Sequence, residues 1–462
     1  AAGYRTLMTG KWHLGEAVDE MPHMHGFQRS YSLAASGADN YEDKSYMPYY
    51  ADAPWWEDGK EVALPEDFYS SEFIVDKMIE YLGETDATQP FFAYLPFQAI
   101  HIPVQAPAEF IANYDGVYDE GWHVLRQQRY ETAQELGLIA QSAPLAPMPA
   151  DARDWSSLND QKRALYEAMM EANAGMLEAM DLHIGRFIEH LKAEGQFENS
   201  IFIVAPDNGP EFNRGDDDER ILFWQSLNGY DIDPENAGGR GSWGFIGPEW
   251  ANAAASPGAL YKFYATEGGI RSPLIVSGPG IASSKIDSPA MVSDIAPTLI
   301  DWIGVPNPPD EAKPMTGRSL LPVLRGEVDS VYAPDDVRAI EVSGNSALYK
   351  GDYKITRSMP PAGDAQWRLF NMAIDPGETQ DLSAAEPDVL ADLLAEFDAY
   401  SARVGVLEMP EGYHSLEAIL ANTTPRVINQ YKWYLLGIGI AILLLLYGVY
   451  RIVRNVLRRV VS

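Results

Sequence analysis

An α/β fold is the expectation from this chain, and three observations raise it. Leu165, Met169, Asn173, Met176, Met180, Ile184, Phe187 and Leu191 recur at three- and four-residue spacing, the stripe of a long amphipathic helix. That helix runs into Ile201-Phe-Ile-Val-Ala205, which reads as a buried strand ending at Pro206-Asp207-Asn208-Gly209. The same order occurs earlier, where Ser71 to Leu82 reads as a helix and Pro90-Phe-Phe-Ala-Tyr-Leu-Pro96 as a second buried strand. A helix feeding a strand is the repeating unit of α/β folds, which place ligands beyond the carboxyl ends of their strands.

Composition bounds the function. The 462 residues carry 67 acidic against 34 basic side chains, a formal charge of −33, which repels nucleic acid and opposes anionic substrates unless a basic cluster reverses the field locally. The chain has no cysteine, so disulfides, thiolate metal sites and cysteine nucleophiles are excluded.

In chain order, Thr6 to Gly10 is a short strand candidate followed by Lys11-Trp-His-Leu-Gly15. If that segment is extended, Lys11 and His13 share a face, where two donors aimed together suit an oxyanion. A surface lysine beside a core histidine is the alternative. Residues 40–70, rich in Tyr, Trp, Asp and Pro, read as a substrate-side loop, and His101 follows the strand at Pro90–Pro96. Tyr114 to Pro149 reads as helix and then a proline-rich loop. Asp207 and Asn208 place two hard oxygen donors on a loop freed by Gly209; they suit Ca²⁺ or Mg²⁺, though an Asx-turn forms there without any metal. Asp216-Asp-Asp-Glu219 reads as a solvated acidic loop. Lys262 and Arg271 flank Gly268-Gly269 just before the strand Pro273–Ser277, and Val292–Trp302 is a short amphipathic helix.

Past Gly326 the pattern changes to short strand candidates (Val337–Val342, Ala347–Tyr349, Tyr353–Thr356, Trp367–Phe370) and a closing helix, Pro387 to Tyr400, as in a small antiparallel sheet with a helix. Leu407 to Gln430 reads as a loose linker. From Trp433 to Tyr450 there are 18 consecutive uncharged residues, which span roughly 27 Å as a helix, close to a bilayer core. Trp433, Tyr434, Tyr447 and Tyr450 sit near its ends, and Arg451, Arg454, Arg458 and Arg459 follow. By the positive-inside rule the tail is cytoplasmic and the acidic body periplasmic or extracellular. The expected organisation is an α/β domain over 1–325, an α+β subdomain over 326–406, a linker over 407–432, a transmembrane helix over 433–450 and a basic tail over 451–462.

Lys11, His13, His101 and Lys262 thus lie near strand ends beside the Asp207–Asn208 pair, the makings of a pocket for sulfate or phosphate. Taken with Gly3-Tyr-Arg-Thr6, Gly10-Lys-Trp-His-Leu-Gly15, Phe97-Gln-Ala-Ile-His101-Ile-Pro103, Asp181-x-x-Ile184-Gly-Arg186, Ser200 to Gly209, Glu267-Gly-Gly-Ile-Arg271, Gly317-Arg-Ser-Leu-Leu321 and Asp375-Pro-Gly-Glu-Thr379, the chain resembles the sulfatases of the alkaline-phosphatase superfamily. The context of Leu260-Tyr-Lys262 and the segment Tyr118 to Gly137 look most like the bacterial arylsulfatases. The resemblance covers nearly everything before residue 405. It implies an alkaline-phosphatase-like large mixed sheet sandwiched by helices, and hydrolysis of small-molecule or glycan sulfate esters. It also implies Asp207 and Asn208 as Ca²⁺ ligands, and Lys11, His101 and Lys262 on the sulfate oxygens. His13 would contact the nucleophile and act as a base.

The departures from the family pattern are as specific. Its nucleophile is a formylglycine made from Cys or Ser in a Cys/Ser-x-Pro-x-Arg motif, which is missing here: Ser277-Gly-Pro and Ser358-Met-Pro lack the arginine. The paired aspartates that complete the calcium site, upstream of the Gly-Lys-Trp-His element in the family, are missing too. The expectation is that a nucleophile-bearing N-terminal portion precedes Ala1, and that the 462 residues alone are inactive. The rival readings are a phosphate or phosphonate monoester hydrolase of the same fold, and a non-catalytic, membrane-tethered binder of sulfated glycans.

Overall fold

The computed structural model describes residues 3–84, 89–231, 233–305 and 314–461. Its organising element is β1 (Arg5–Lys11), an apolar strand buried along most of its length. It pairs in parallel with β2 (Arg29–Leu33) on one side and, across its other edge, with β5 (Phe91–Tyr94). β3 (Trp55–Glu57) and β4 (Lys60–Val62) add antiparallel beyond β2, giving a mixed five-stranded sheet in the order β4-β3-β2-β1-β5. Part of the loop expected over 40–70 is therefore sheet, because Trp55 is fully buried and its neighbours take ladder positions.

Helices cover this sheet. The helix Ser70–Gly83 lays Ile74, Val75 and Met78 against Leu7 and Leu33, and the Thr9 hydroxyl donates to the Ile74 carbonyl at 2.8 Å. The 34-residue helix Asp160–Ala193 is the predicted amphipathic one. Asn159 caps it by accepting from Lys162 N–H at 2.9 Å, which satisfies one of the amides the first turn leaves open. Its C-terminal half closes the sheet core through Phe187 and Leu191. Its N-terminal half joins a second core built around Trp122, Trp155, Tyr166, Phe245 and Trp250. Trp122 meets Trp155, Tyr166 and Trp250 edge-on at 4.7–5.8 Å. Trp243 and Trp250 are buried packing residues.

β6 (Phe202–Val204) and β7 (Ile275–Ser277) form a separate antiparallel pair. Both strands were expected to be buried, and neither is: Val204 is 43 % and Ile275 63 % exposed, because β6 meets only β7 among the described residues. β5 is likewise an edge strand, with Phe92 and Tyr94 exposed. Beyond them, β8 (Val337–Val342), β9 (Asn345–Lys350), β10 (Tyr353–Arg357) and β11 (Trp367–Asn371) make an antiparallel meander covered by the helix Pro387–Val404 through Leu393 and Phe397.

Two expectations about the surface change. Asp216–Glu219 is an ion-paired and capping segment rather than a solvated loop: Asp216 meets Lys162 and Tyr166, Asp217 meets Arg153 and Arg214, and Asp218 caps the helix Glu219–Leu227. The linker expected up to Gln430 is helical from Ser415, and one helix, Ser415–Val461, runs on through the apolar segment. Its span from Ser415 to Asn455 is long and apolar enough to cross a membrane, and the most apolar 18-residue stretch within it is unburied by the rest of the chain.

Candidate active site

The site lies where β1, the loop after β5 and the loop after β6 meet. β1 stops at Lys11, whose N–H donates to the Pro96 carbonyl at 2.8 Å. Gly10 makes that approach feasible: at φ 132° a side chain there would place its Cβ 2.1 Å from the Pro96 oxygen. His13 follows at φ 53°, so the segment is not extended through His13 as the alternation expected, yet Lys11 still acts on His13 electrostatically.

His101 sits on the loop after β5. Its Nδ1 lies 2.8 Å from the Ile102 carbonyl oxygen, and a carbonyl only accepts, so the proton is on Nδ1. Nε2 is then a lone pair, and it accepts from Lys262 Nζ at 3.0 Å. Lys262 also donates to Glu211 Oε2 at 2.9 Å, and Glu211 stands 3.4 Å from His101 Nε2. Tyr46 meets the His101 ring edge-on at 5.3 Å. Lys262 is held by a strained loop: Leu260 and Phe263, both bulky, take φ 58° and 77°. Such conformations cost about 1–3 kcal/mol each and persist only where the surroundings enforce them. Here Lys262 N–H bonds the Pro210 carbonyl at 3.2 Å, tying the strained loop to the loop after β6.

The loop after β6 is docked on the Glu267–Ile270 turn. Gly209 N–H donates to the Gly269 carbonyl at 2.8 Å, and a Cβ on Gly209 would meet the Gly268 oxygen at 2.0 Å. That turn is anchored in the C-terminal sheet by Lys354, which is fully buried on β10 and 2.8 Å from both Glu267 Oε1 and Glu378 Oε1. Tyr349 donates to Glu267 as well. The Gly-Gly motif and the C-terminal sheet are thus one mechanical unit with the candidate site.

The charges interact strongly. Burial, then Lys262, lowers the Lys11 ammonium from its ordinary range, with Asp207 and Glu211 opposing. Burial, then Lys11 and Lys262, lowers His13, with Asp207 again opposing. Burial and Lys262 push His101 down to about 4. Burial raises Glu211, but Lys262 and His101 overcome it and hold the carboxylate below its usual value. The structure therefore brings Lys11, His13, His101, Lys262 and Asp207 into one electrostatic neighbourhood, with two ammonium groups and two neutral imidazoles facing it.

Asp207 is exposed and Asn208 half-buried at the end of β6. They match calcium in kind but not in number: calcium takes six to eight oxygens, and no cluster of three or more metal-ligating His, Cys, Asp or Glu residues occurs among the described residues. Glu211 and Tyr46 were missed by sequence reasoning. Glu211 had a signal, standing three residues after Asn208 on the same loop; Tyr46 had none, because only the fold carries it to His101.

A mixed sheet flanked by helices, with Lys11, His13 and His101 at or beyond the ends of its strands and Lys262 brought up to them from a separate loop, is an α/β arrangement whose donors would suit a tetrahedral oxyanion. The family model described as Sulfatase matches residues 1–305, and the chain belongs to that family. An uncharacterised sulfatase of Schizosaccharomyces pombe is 33% identical over 435 residues, covering 89% of this chain and 77% of that protein. An arylsulfatase of Klebsiella aerogenes is 35% identical over 335 residues, covering 70% of this chain and 69% of its own length. The solved structure of Ps i-CgsB in complex with k-i-k-neocarrahexaose superposes with a TM-score of 0.59 at 19% identity, over 93% of this chain and 78% of that one, a likeness of fold.

Proposed function

We propose that the chain is the larger part of a membrane-anchored hydrolase of sulfate monoesters of the arylsulfatase type. The observation that carries this reading is the convergence of Lys11, His13, His101 and Lys262 in a chain of charge −33. A sulfate ester arriving there replaces Glu211 as the partner of Lys262 and takes donors from both lysines, which stabilise charge on the sulfuryl oxygens as the ester bond breaks. The neutral His101, with its Nε2 lone pair directed at Lys262, holds that ammonium in place. His13 is the base, since its ring is held neutral by burial and the two lysines.

The nucleophile, a formylglycine, lies outside these 462 residues. The sequence has no cysteine, and no Ser-x-Pro-x-Arg occurs in it. The unpaired edges of β5 and β6 support where it enters. Phe91, Ala93 and Phe202 pack on one core and Asp207 acts on Tyr94, and among the described residues β5 pairs only with β1 and β6 only with β7. Open apolar edges of this kind are normally covered. Asp207 and Asn208 would be two ligands of a calcium ion, which would supply positive charge beside the ester. The arginines after Tyr450 support a reading in which the body lies outside the cytoplasm.

Two measurements test the reading. Isothermal titration of the purified chain with sulfate should show binding, abolished by Lys11→Met with Lys262→Met. Incubation with 4-nitrophenyl sulfate should give no turnover; steady turnover by these residues alone would refute the missing nucleophile. Binding of inorganic phosphate in strong preference to sulfate would favour a phosphate or phosphonate ester hydrolase instead.

A further inference from the structure

The helix Ser415–Val461 does not leave the body freely. At its start, Ser415 N–H and hydroxyl face the Pro360 carbonyl, beside the C-terminal sheet. Fifteen residues later, about 22 Å along a helix, Gln430 donates to the Tyr50 carbonyl at 3.0 Å, and the next residue, Tyr431, accepts from the Trp224 indole at 3.1 Å. Trp433, where the uncharged run begins, is two residues on. The helix therefore orders the body: the C-terminal sheet is the distal end, and the Tyr50 and Trp224 segments are the end beside the bilayer.

At that end the helix Glu219–Leu227 buries Trp224 and turns Phe223 and Leu227 outward, 66 % and 64 % exposed. The two are four residues apart and so share one face. Arg220, one turn earlier, is ion-paired with Asp218 and exposed beside them. Large exposed apolar side chains set beside a membrane entry point fit the headgroup boundary, where apolar faces sink about 5–10 Å and flanking cationic side chains reach back to the surface. We infer that Phe223 and Leu227 form a second membrane contact, resting in the bilayer interface next to the span and holding the body against the surface. Tyr50, hydrogen-bonded to the helix, stacks on Tyr46, which packs on His101, so this contact also sets the candidate site close to the membrane plane. The inference rests on the membrane-span reading of Trp433–Tyr450.

Absence of native cysteine makes the test direct. Single variants Phe223→Cys, Leu227→Cys, Val404→Cys and Leu444→Cys of the full chain are labelled with an environment-sensitive fluorophore and reconstituted in phosphatidylcholine vesicles. Lipids carrying a spin label near the headgroup or deep in the chain serve as quenchers. Labels at 223 and 227 should shift to the blue and be quenched by the shallow spin label. The label at 404, on the helix that covers the distal sheet, should not be, and that at 444 should be quenched by the deep one. Quenching at 444 with 223 and 227 matching 404 overturns the surface contact alone. No quenching at 444 overturns the span and the contact together. A blue shift at 223 that grows with protein density, without quenching, identifies a second copy as the occupant and overturns the lipid contact.

Discussion

Lys354 is the residue whose loss should be most informative. It is fully buried, and it faces Glu267 and Glu378 at 2.8 Å each, with both carboxyls nearly inaccessible. Burial, then Lys354, then the neighbouring Glu267 act on Glu378, and the net effect raises its carboxyl; Glu267 is held ionised by Lys354. Lys354→Met keeps the length and removes the cation, stranding the Glu267 charge in the interior. Breaking a buried pair from one side costs about 3–5 kcal/mol, whereas replacing both partners with neutral groups is often close to neutral. Glu267→Gln should therefore destabilise the parent chain yet stabilise the Lys354→Met variant, since glutamine still accepts from Tyr349. Urea unfolding in detergent, followed by circular dichroism, reads this as a lowered midpoint at unchanged slope. The energetic account of the anchor fails if Lys354→Met costs less than about 1 kcal/mol, or if Glu267→Gln deepens its defect. Because Gly209 hangs from the Gly269 carbonyl, sulfate binding should weaken in the single variant and return in the double one.

Other outcomes follow from the same geometry. His101 takes its proton at about 4 when folded against 6.5 in an open chain, so the unfolded state binds more protons between those values. Stability should therefore fall as pH drops from 6.5 toward 4, and Nε2 should stay unprotonated at pH 5.5 by ¹⁵N histidine NMR; a protonated ring there contradicts the Lys262 contact. Lys262→Met alone should weaken sulfate binding about 10–100-fold, the worth of one charge-assisted hydrogen bond, with titration calorimetry as the readout. Gly209→Ala must move the Gly268 carbonyl, and a loss of about 1–3 kcal/mol in the same urea assay is expected.

Much of the architecture is local and so was legible in the residues. The Asp160–Ala193 helix, the meander from Val337 to Asn371 and the apolar segment after Trp433 follow from periodicity, which depends on neighbours a few positions away. The candidate site residues stand in short motifs, which is why they could be named from the sequence. Burial of β6 and β7 was misjudged because β-branched composition reports what a strand tolerates, not which partners reach it. The helical state of Ser415–Gln430 was missed because its support is tertiary, from Tyr50 and Trp224. Sequence alone therefore determined the fold class, the candidate charges and the apolar span, all properties of composition and short-range spacing. Only the tertiary structure decided that Glu211 pairs with Lys262, that Lys354 anchors the glycine turn, and that Tyr46 covers His101. Each joins residues roughly fifty to ninety positions apart, and their energies exist only once the chain has closed those loops.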